Sequence, residues 1–176
     1  MSAQAASTAS AQATRPNRLA RSVAKLERVP AIVRPWVRSR VMGRVVPFTG
    51  TAGLEYVLMT PQRVEIAIAN RRPVQNHIHG VHAAAMALLA ETATGMVVGM
   101  NVRDDCLPLA KSMRIDFKKR ALGAMRAVAT LSDAQRALMQ QSDKGEVSVP
   151  VQVSDESGAE PIQCEFIWAW IPMPKK

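Results

Sequence analysis

The stretch 76-NHIHGVHAAAMALLAETATGMVVGMN-101 decides how the rest of the chain folds. It opens on a polar cluster, Asn76 to His82, that holds all three histidines of the protein. A long run of small apolar residues follows, from Ala83 to Met100, interrupted by one formal charge, Glu91. Its length and its Ala, Leu and Met content predict a helix. Side chains three and four positions apart share a helical face, so Glu91 lies with Ala84, Ala87, Leu88 and Gly95. Burying a carboxylate among such groups is costly unless it is paired or has a task. Two readings follow. The helix is a core helix whose acid meets an arginine from elsewhere, or Glu91 is a catalytic carboxylate facing polar groups from the preceding loop.

Outside this helix the pattern changes to strands. Gly53 to Met59 reads as one, and Thr60-Pro61-Gln62 as a turn. Arg63 to Ile68 alternates strictly, with Val64, Ile66 and Ile68 on one face. After the polar break Arg103-Asp104-Asp105, strands are predicted at Ser112–Lys118, Ala124–Leu131, Glu146–Val153 and Ile162–Ile171. Pro150 should make the third of these an edge strand or place a bulge in it. Ser132 to Lys144 reads as an irregular or helical excursion, and Asp155-Glu156-Ser157-Gly158 as a turn. Two strands, one helix and four strands describe an α+β domain with an antiparallel sheet. A helix that is apolar nearly all round must be enclosed, and a curved sheet wrapped around it does that.

The chain has 176 residues and 48% hydrophobic content, enough for one domain with a real core plus an extension. Only 4% of residues are aromatic, so the core must be aliphatic and Met-rich. Cys106 and Cys164 form no disulfide framework and no metal spacing, which fits two reduced thiols in a cytoplasmic protein. The net charge of +9 suggests nucleic acid until it is located. Residues 1–45 carry nine Lys/Arg and one acid, Glu27, so the domain itself is close to neutral. No nucleic-acid partner is expected on that ground. The chain divides into a disordered tail (1–18), a basic helical segment (19–45) and the domain (46–174). The tail's Ala/Ser/Gln/Thr composition cannot offset the entropy of ordering. It lacks the apolar core of a signal peptide but has some transit-peptide character. In the basic segment Leu19, Val23 and Leu26 define a helix that Pro30 stops. A second helix is predicted from Pro35 to Met42, with Trp36, Val37 and Val41 inward and Arg34, Arg38 and Arg40 outward. Such segments can lie on anionic membranes. The reading adopted is a helix pair packed on the domain with solvated arginines, and a weak contact of the arm with anionic surfaces is left open.

Asn76, His82 six residues on, a small-residue run and an acid at 91 together resemble the hotdog-fold acyl-CoA thioesterases. The phenylacetyl-CoA type and a related uncharacterised bacterial subfamily are the nearest branches. The resemblance spans about Pro47 to Pro172. It implies a curved antiparallel sheet around one long helix, and a homodimer or dimer of dimers with the site at the subunit interface. By position it implies that Asn76, His82 and the N–H of Ala83 polarise a thioester carbonyl. Glu91 is then the nucleophile or general base. The family commonly has His-Gly-Gly at the helix start, whereas this chain has His82-Ala83-Ala84. Alanine keeps the N–H donor but restricts close backbone approach.

The activity implied is hydrolysis of an acyl-CoA to a carboxylic acid and free CoA, with no metal or cofactor. Further candidates for substrate binding are Gly80 in the loop, Thr92 and Ser112 to hold the water or the acid, and Arg71 and Arg72 for the CoA phosphates. The alternative is a non-catalytic acyl-CoA or lipid-binding domain on the same fold. Other readings fare less well. His77-x-His79-x-x-His82 has the spacing of the metallo-β-lactamase-like motif, but Val81 stands where that motif has Asp, and no further histidine exists. A hotdog hydratase needs an Asp and His dyad, and no Asp precedes Asn101. A membrane span from Val81 to Met100 would place an acid at its centre, which costs about 2.5–3.5 kcal/mol.

Overall fold

The computed structural model describes residues 15–174. Two strands, β1 (Leu54–Met59) and β2 (Arg63–Ile68), precede the central helix α4 (Ala83–Gly99). After it come β3 (Cys106–Phe117), β4 (Met125–Thr130), β5 (Gly145–Val149), β6 (Val151–Asp155) and β7 (Ile162–Pro172). Helices α1 (Arg18–Leu26), α2 (Arg34–Val45) and α3 (Pro47–Ala52) lie before β1, and α5 (Asp133–Gln141) lies between β4 and β5. The strand pairings are antiparallel.

Pro150 shapes the sheet. The run expected to be one strand from Glu146 to Val153 ends at Val149 and restarts at Val151 in a different pairing. β5 closes the order β3-β7-β5, and β6 closes β1-β2-β4-β6. Proline cannot donate to a ladder, and here both flanking strands are edges, where it is tolerated. The crossing joins the two sheets into one curved surface around α4. This is the α+β hotdog arrangement that the resemblance implies. β3 begins at Cys106, six residues before the expected Ser112. Leu107-Pro108-Leu109 hides the strand because it does not alternate. Pro108 fits there because, among the described residues, β3 pairs with β7 alone and leaves its other edge open.

α4 fills the trough. Leu89, Ala90, Ala93, Val97 and Val98 are fully buried against strand residues such as Ile66, Phe166 and Trp170. Each large apolar side chain enclosed this way contributes about 1.5–3 kcal/mol. Gly95 permits the closest contact, since a Cβ there would lie 2.7 Å from the Trp168 ring. One stripe of α4 is not covered. Ala83 and Ala84 are exposed, and Ala87, Leu88, Glu91 and Gly95 are only partly enclosed. No helix among the described residues is long and apolar enough to cross a membrane.

The N-terminal segment departs from expectation in three ways. Residues 1–14 of the expected tail lie outside the described residues. Asn17, also assigned to the tail, is buried, and its Nδ2 donates to the carbonyls of Gly99 and Val102 at 2.8 and 2.7 Å. It also caps α1, whose second turn buries Val23. Next, α2 is rotated from the expected setting, although Arg40 faces solvent as expected. Arg38 is 3% exposed while Trp36 is 68% exposed and Val41 also faces solvent. The reason is the Arg38 guanidinium, which is held by the Glu27 carboxylate and the Val57 carbonyl. That ion pair and the packing of Met42 fix the rotation of the helix. Finally, α3 was not foreseen. It packs tightly on α2 because Gly43 meets Gly50 backbone to backbone.

Candidate functional site

The loop before α4 is built around Asn76. Its Oδ1 accepts from the N–H groups of Ile78 and Gly80, both at 3.1 Å, and its own N–H donates to the Gly80 carbonyl at 2.9 Å. These contacts fix the amide and leave Nδ2 with no hydrogen bond among the described residues. His79 adopts φ +60° at the tip, a left-handed conformation that is uncommon outside glycine. Asn70 Nδ2 donates to its carbonyl at 3.0 Å. From the other side the Arg120 guanidinium donates to the Ile78 carbonyl at 2.8 Å.

His82 is the N-cap of α4. Its Nδ1 accepts from the Ala84 N–H at 3.0 Å and so carries no proton there. Ala83 is the first helical residue, and its N–H has no intrahelical carbonyl to meet. It therefore points its donor out of the positive end of the helix dipole. Asn76 and Ala83 line one cleft of about 150 Å³ with Gly80, Met86, Phe117 and Arg120. Lys119 borders the same cleft. His77 and His79 are exposed on the turn. No group of three or more metal-ligating side chains converges among the described residues.

Glu91 stands apart from this cleft. Eight residues separate it from Ala83, a rise of about 12 Å along the helix. Burial pushes its carboxyl up from the ordinary range, and the adjacent Thr92 hydroxyl acts in the opposite direction. That hydroxyl is buried with no hydrogen bond of ordinary geometry among the described residues. It acts on Glu91 as a nearby dipole rather than as a bonded partner. Glu91 makes no ion pair among the described residues. Behind it lies Tyr56, fully buried, with its hydroxyl 3.1 Å from Thr49 Oγ1. Burial pushes the Tyr56 phenol up, the bond to Thr49 pulls it down, and the Glu91 charge adds to the rise.

The structure thus brings Asn76, Gly80, Ala83 and His82 together and keeps Glu91 and Thr92 adjacent but separate. It does not bring in the remaining candidates. Ser112 is exposed and pairs with Ile167, between the inward-facing Phe166 and Trp168, so it faces away from α4. Arg71 lines a different groove with Arg40 and Arg44, and Arg72 is exposed. The cations at the Asn76 cleft are Lys119 and Arg120, which lie just beyond the expected strand Ser112–Lys118 and were given no role in the sequence reading. Their signal was the run Lys118-Lys119-Arg120. Tyr56 was missed too, although it is the single tyrosine of the chain.

Comparison with solved structures agrees with this architecture. A Pseudomonas aeruginosa protein of unknown function, described as "Probable Thioesterase", superposes with a TM-score of 0.70 at 21% identity, covering 77% of this chain and 94% of that one. A thioesterase family protein from Silicibacter pomeroyi gives 0.59 at 14% identity, covering 76% and 96%. A Chlorobaculum tepidum protein of unknown function gives 0.66 at 11% identity, covering 86% and 94%. At such identities the likeness establishes the fold. No curated protein matches the sequence. The profile of a domain of unknown function, DUF4442, matches residues 34–171, most of the chain, including α4, the Asn76 loop and all the strands but the last residue of β7. The chain belongs to this hotdog-like family, DUF4442.

Proposed function

We propose that this protein hydrolyses an acyl-CoA thioester to a carboxylic acid and free CoA, working as a homodimer or a dimer of dimers. The observation that carries the reading is a pair of unused donors in one cleft. Asn76 and Ala83 are among the residues that line it, and neither Asn76 Nδ2 nor the Ala83 N–H has a hydrogen-bond partner among the described residues. Two preorganised donors at a helix N-terminus suit a carbonyl oxygen that becomes an oxyanion. Lys119 and Arg120 at its border suit the phosphates of CoA.

In the reaction, water attacks the thioester carbonyl carbon while a carboxylate takes its proton. The carbonyl oxygen gains negative charge and is held by Asn76 and Ala83. Collapse of the adduct breaks the C–S bond, and the thiolate leaves with the proton. Glu91, raised by burial, is suited to that proton transfer or to direct attack. One chain cannot present both halves to one thioester, because about 12 Å of helix lies between them. The partner subunit's Glu91 would complete the cleft. Two features favour a second copy. The uncovered stripe of α4 carries Glu91, and β3 has an open edge. On the face β3 turns to α4, Met113 and Phe117 remain 53% and 55% exposed.

The Ala83-Ala84 pair and the small cleft favour a second reading, a domain that binds acyl-CoA without hydrolysing it. Steady-state hydrolysis of acyl-CoAs of graded chain length separates the two. Turnover that disappears in Glu91→Gln supports the enzyme. Binding without turnover across the series supports the second reading.

A further inference from the structure

Helix α2 carries an outward face that neither the fold nor the candidate site uses. The Arg38–Glu27 ion pair turns it to solvent. Helical spacing aligns Val33, Trp36, Arg40 and Arg44 on that face, with Val41 and Val45 beside them. The apolar groups are well exposed. Ile32, just before the helix, is 92% exposed, and Val45 and Phe48 are 66% and 63%. Between α2, α3 and the start of β1 runs a groove of about 660 Å³. Trp36, Arg40, Arg44 and Arg71 line it, and its single acid is Glu55. The one acid of the N-terminal segment, Glu27, is occupied by Arg34 and Arg38. Arg28, Arg40 and Arg44 are therefore left without acids among the described residues.

We propose that this face docks the protein on an anionic phospholipid bilayer, with lipid phosphates at the groove arginines. Interfacial helices combine aliphatic and aromatic groups that enter the acyl boundary with cations that meet the headgroups. Trp at the rim and Arg with a long apolar stem suit that depth. A nucleic acid fits less well, because exposed Ile and Val offer bases nothing to stack on. A second copy of the same face fits less well again. A two-fold contact would oppose each arginine cluster to itself, and like charges across an interface are costly. The proposal is independent of the thioesterase reading, since it shares no residue with the Asn76 cleft or Glu91.

The test is sedimentation of the full-length protein with vesicles of phosphatidylcholine, alone or mixed with phosphatidylglycerol. Binding is expected to the mixed vesicles only and to fall as salt rises. Arg40→Gln/Arg44→Gln should weaken it roughly 30-fold, the effect of two cations leaving the surface. Trp168 and Trp170 are buried, so protection of Trp36 from an aqueous quencher should accompany binding. Should the double variant not fold, Trp36→Ser provides the second test and should also lose binding. Equal binding to neutral vesicles, or variants that bind like the parent, would overturn the proposal. So would retention on an oligonucleotide in preference to vesicles, or a change in subunit number in the double variant.

Discussion

Two acids of this protein are withdrawn from solvent, Glu65 buried and Glu91 half-buried, and they are treated in opposite ways. The Glu65 side chain in β2 is 11% exposed and is bridged by Arg63, at 3.2 Å, and by Arg126 on the neighbouring strand. Glu91 in α4 is also partly enclosed, and no cation meets it among the described residues. The expected fate of a buried acid, meeting an arginine from elsewhere, is realised at Glu65. A paired acid is explained by the structure around it. An unpaired one, raised by burial, has a cost that no cation among the described residues offsets. That difference makes Glu91 a candidate for chemistry and Glu65 a structural residue.

The largest expected effect tests the contrast directly. Glu91→Gln keeps shape and removes the charge, and should lower kcat by about 10²–10⁴-fold, the range of general acid–base catalysis. Glu65→Gln should leave kcat close to the parent value. Steady-state hydrolysis of acyl-CoA measures both. If Glu91→Gln turns over like the parent, the acid is not the base and the proposed mechanism is wrong.

A smaller effect is expected at the loop. Asn76→Ala removes one of the two unused donors and should lower kcat by about 10²-fold. His79→Ala should change kcat little, because His79 lies exposed at the tip of the turn and not on the cleft. Equal losses in the two variants would mean that Asn76 acts through loop geometry, which its Oδ1 contacts also serve. Asn76→Asp keeps that acceptor and removes the donor, so it separates the two roles.

How far the sequence carried this comparison differs between its halves. Glu91 was legible because a single charge in a long apolar run has few interpretations. The helix start at His82 and the two strands before α4 were legible from local pattern as well. Glu65 was not, since Val64, Ile66 and Ile68 mark it as the solvent side of β2. Only the arginine on β4 and the packing of neighbouring elements enclose it, and those contacts are remote in sequence. The same holds for α2. Its heptad-like pattern of Trp36, Val37 and Val41 suggests an inward face, but one buried ion pair between Arg38 and Glu27 outweighs it. The strand broken at Pro150 was read as an edge strand or one with a bulge, whereas its crossing between two sheets depends on partners that local pattern does not reveal. The separation of Asn76 from Glu91 follows from helix geometry alone. The completion of the site by a second subunit does not.

Stability should also distinguish the two acids. Glu65→Gln removes the charge that Arg63 and Arg126 share. Both arginines are about half exposed, at 49% and 50%, so solvent recovers part of the loss. A decrease of about 1–2 kcal/mol is expected in urea unfolding at neutral pH. An unchanged or raised stability would show that the bridge is a surface contact without weight.

The finest test is the pH dependence of stability in Glu91→Gln. The folded protein holds the Glu91 carboxyl above its ordinary value because burial disfavours the charge. Between the unfolded and folded values the native state therefore binds more protons than the unfolded state. By linkage, parent stability falls as pH rises through that window. Above the folded value the penalty is fully present, and below the unfolded value it is absent. Glu91→Gln cannot ionise, so its stability minus that of the parent should be positive at high pH and shrink as pH falls from the raised folded value to the ordinary carboxyl value. Other titrations cancel in the difference. One is Asp155, which the Ser157 hydroxyl and the N–H groups of Leu122, Ala159 and Ser157 hold below its usual range. The sign is the decisive feature. For Glu65→Gln the expected change at neutral pH is negative, and for Glu91→Gln it is positive. A Glu91→Gln protein that is less stable than the parent at high pH would mean that the carboxylate has a cation partner in solution. Glu91 would then be a second Glu65.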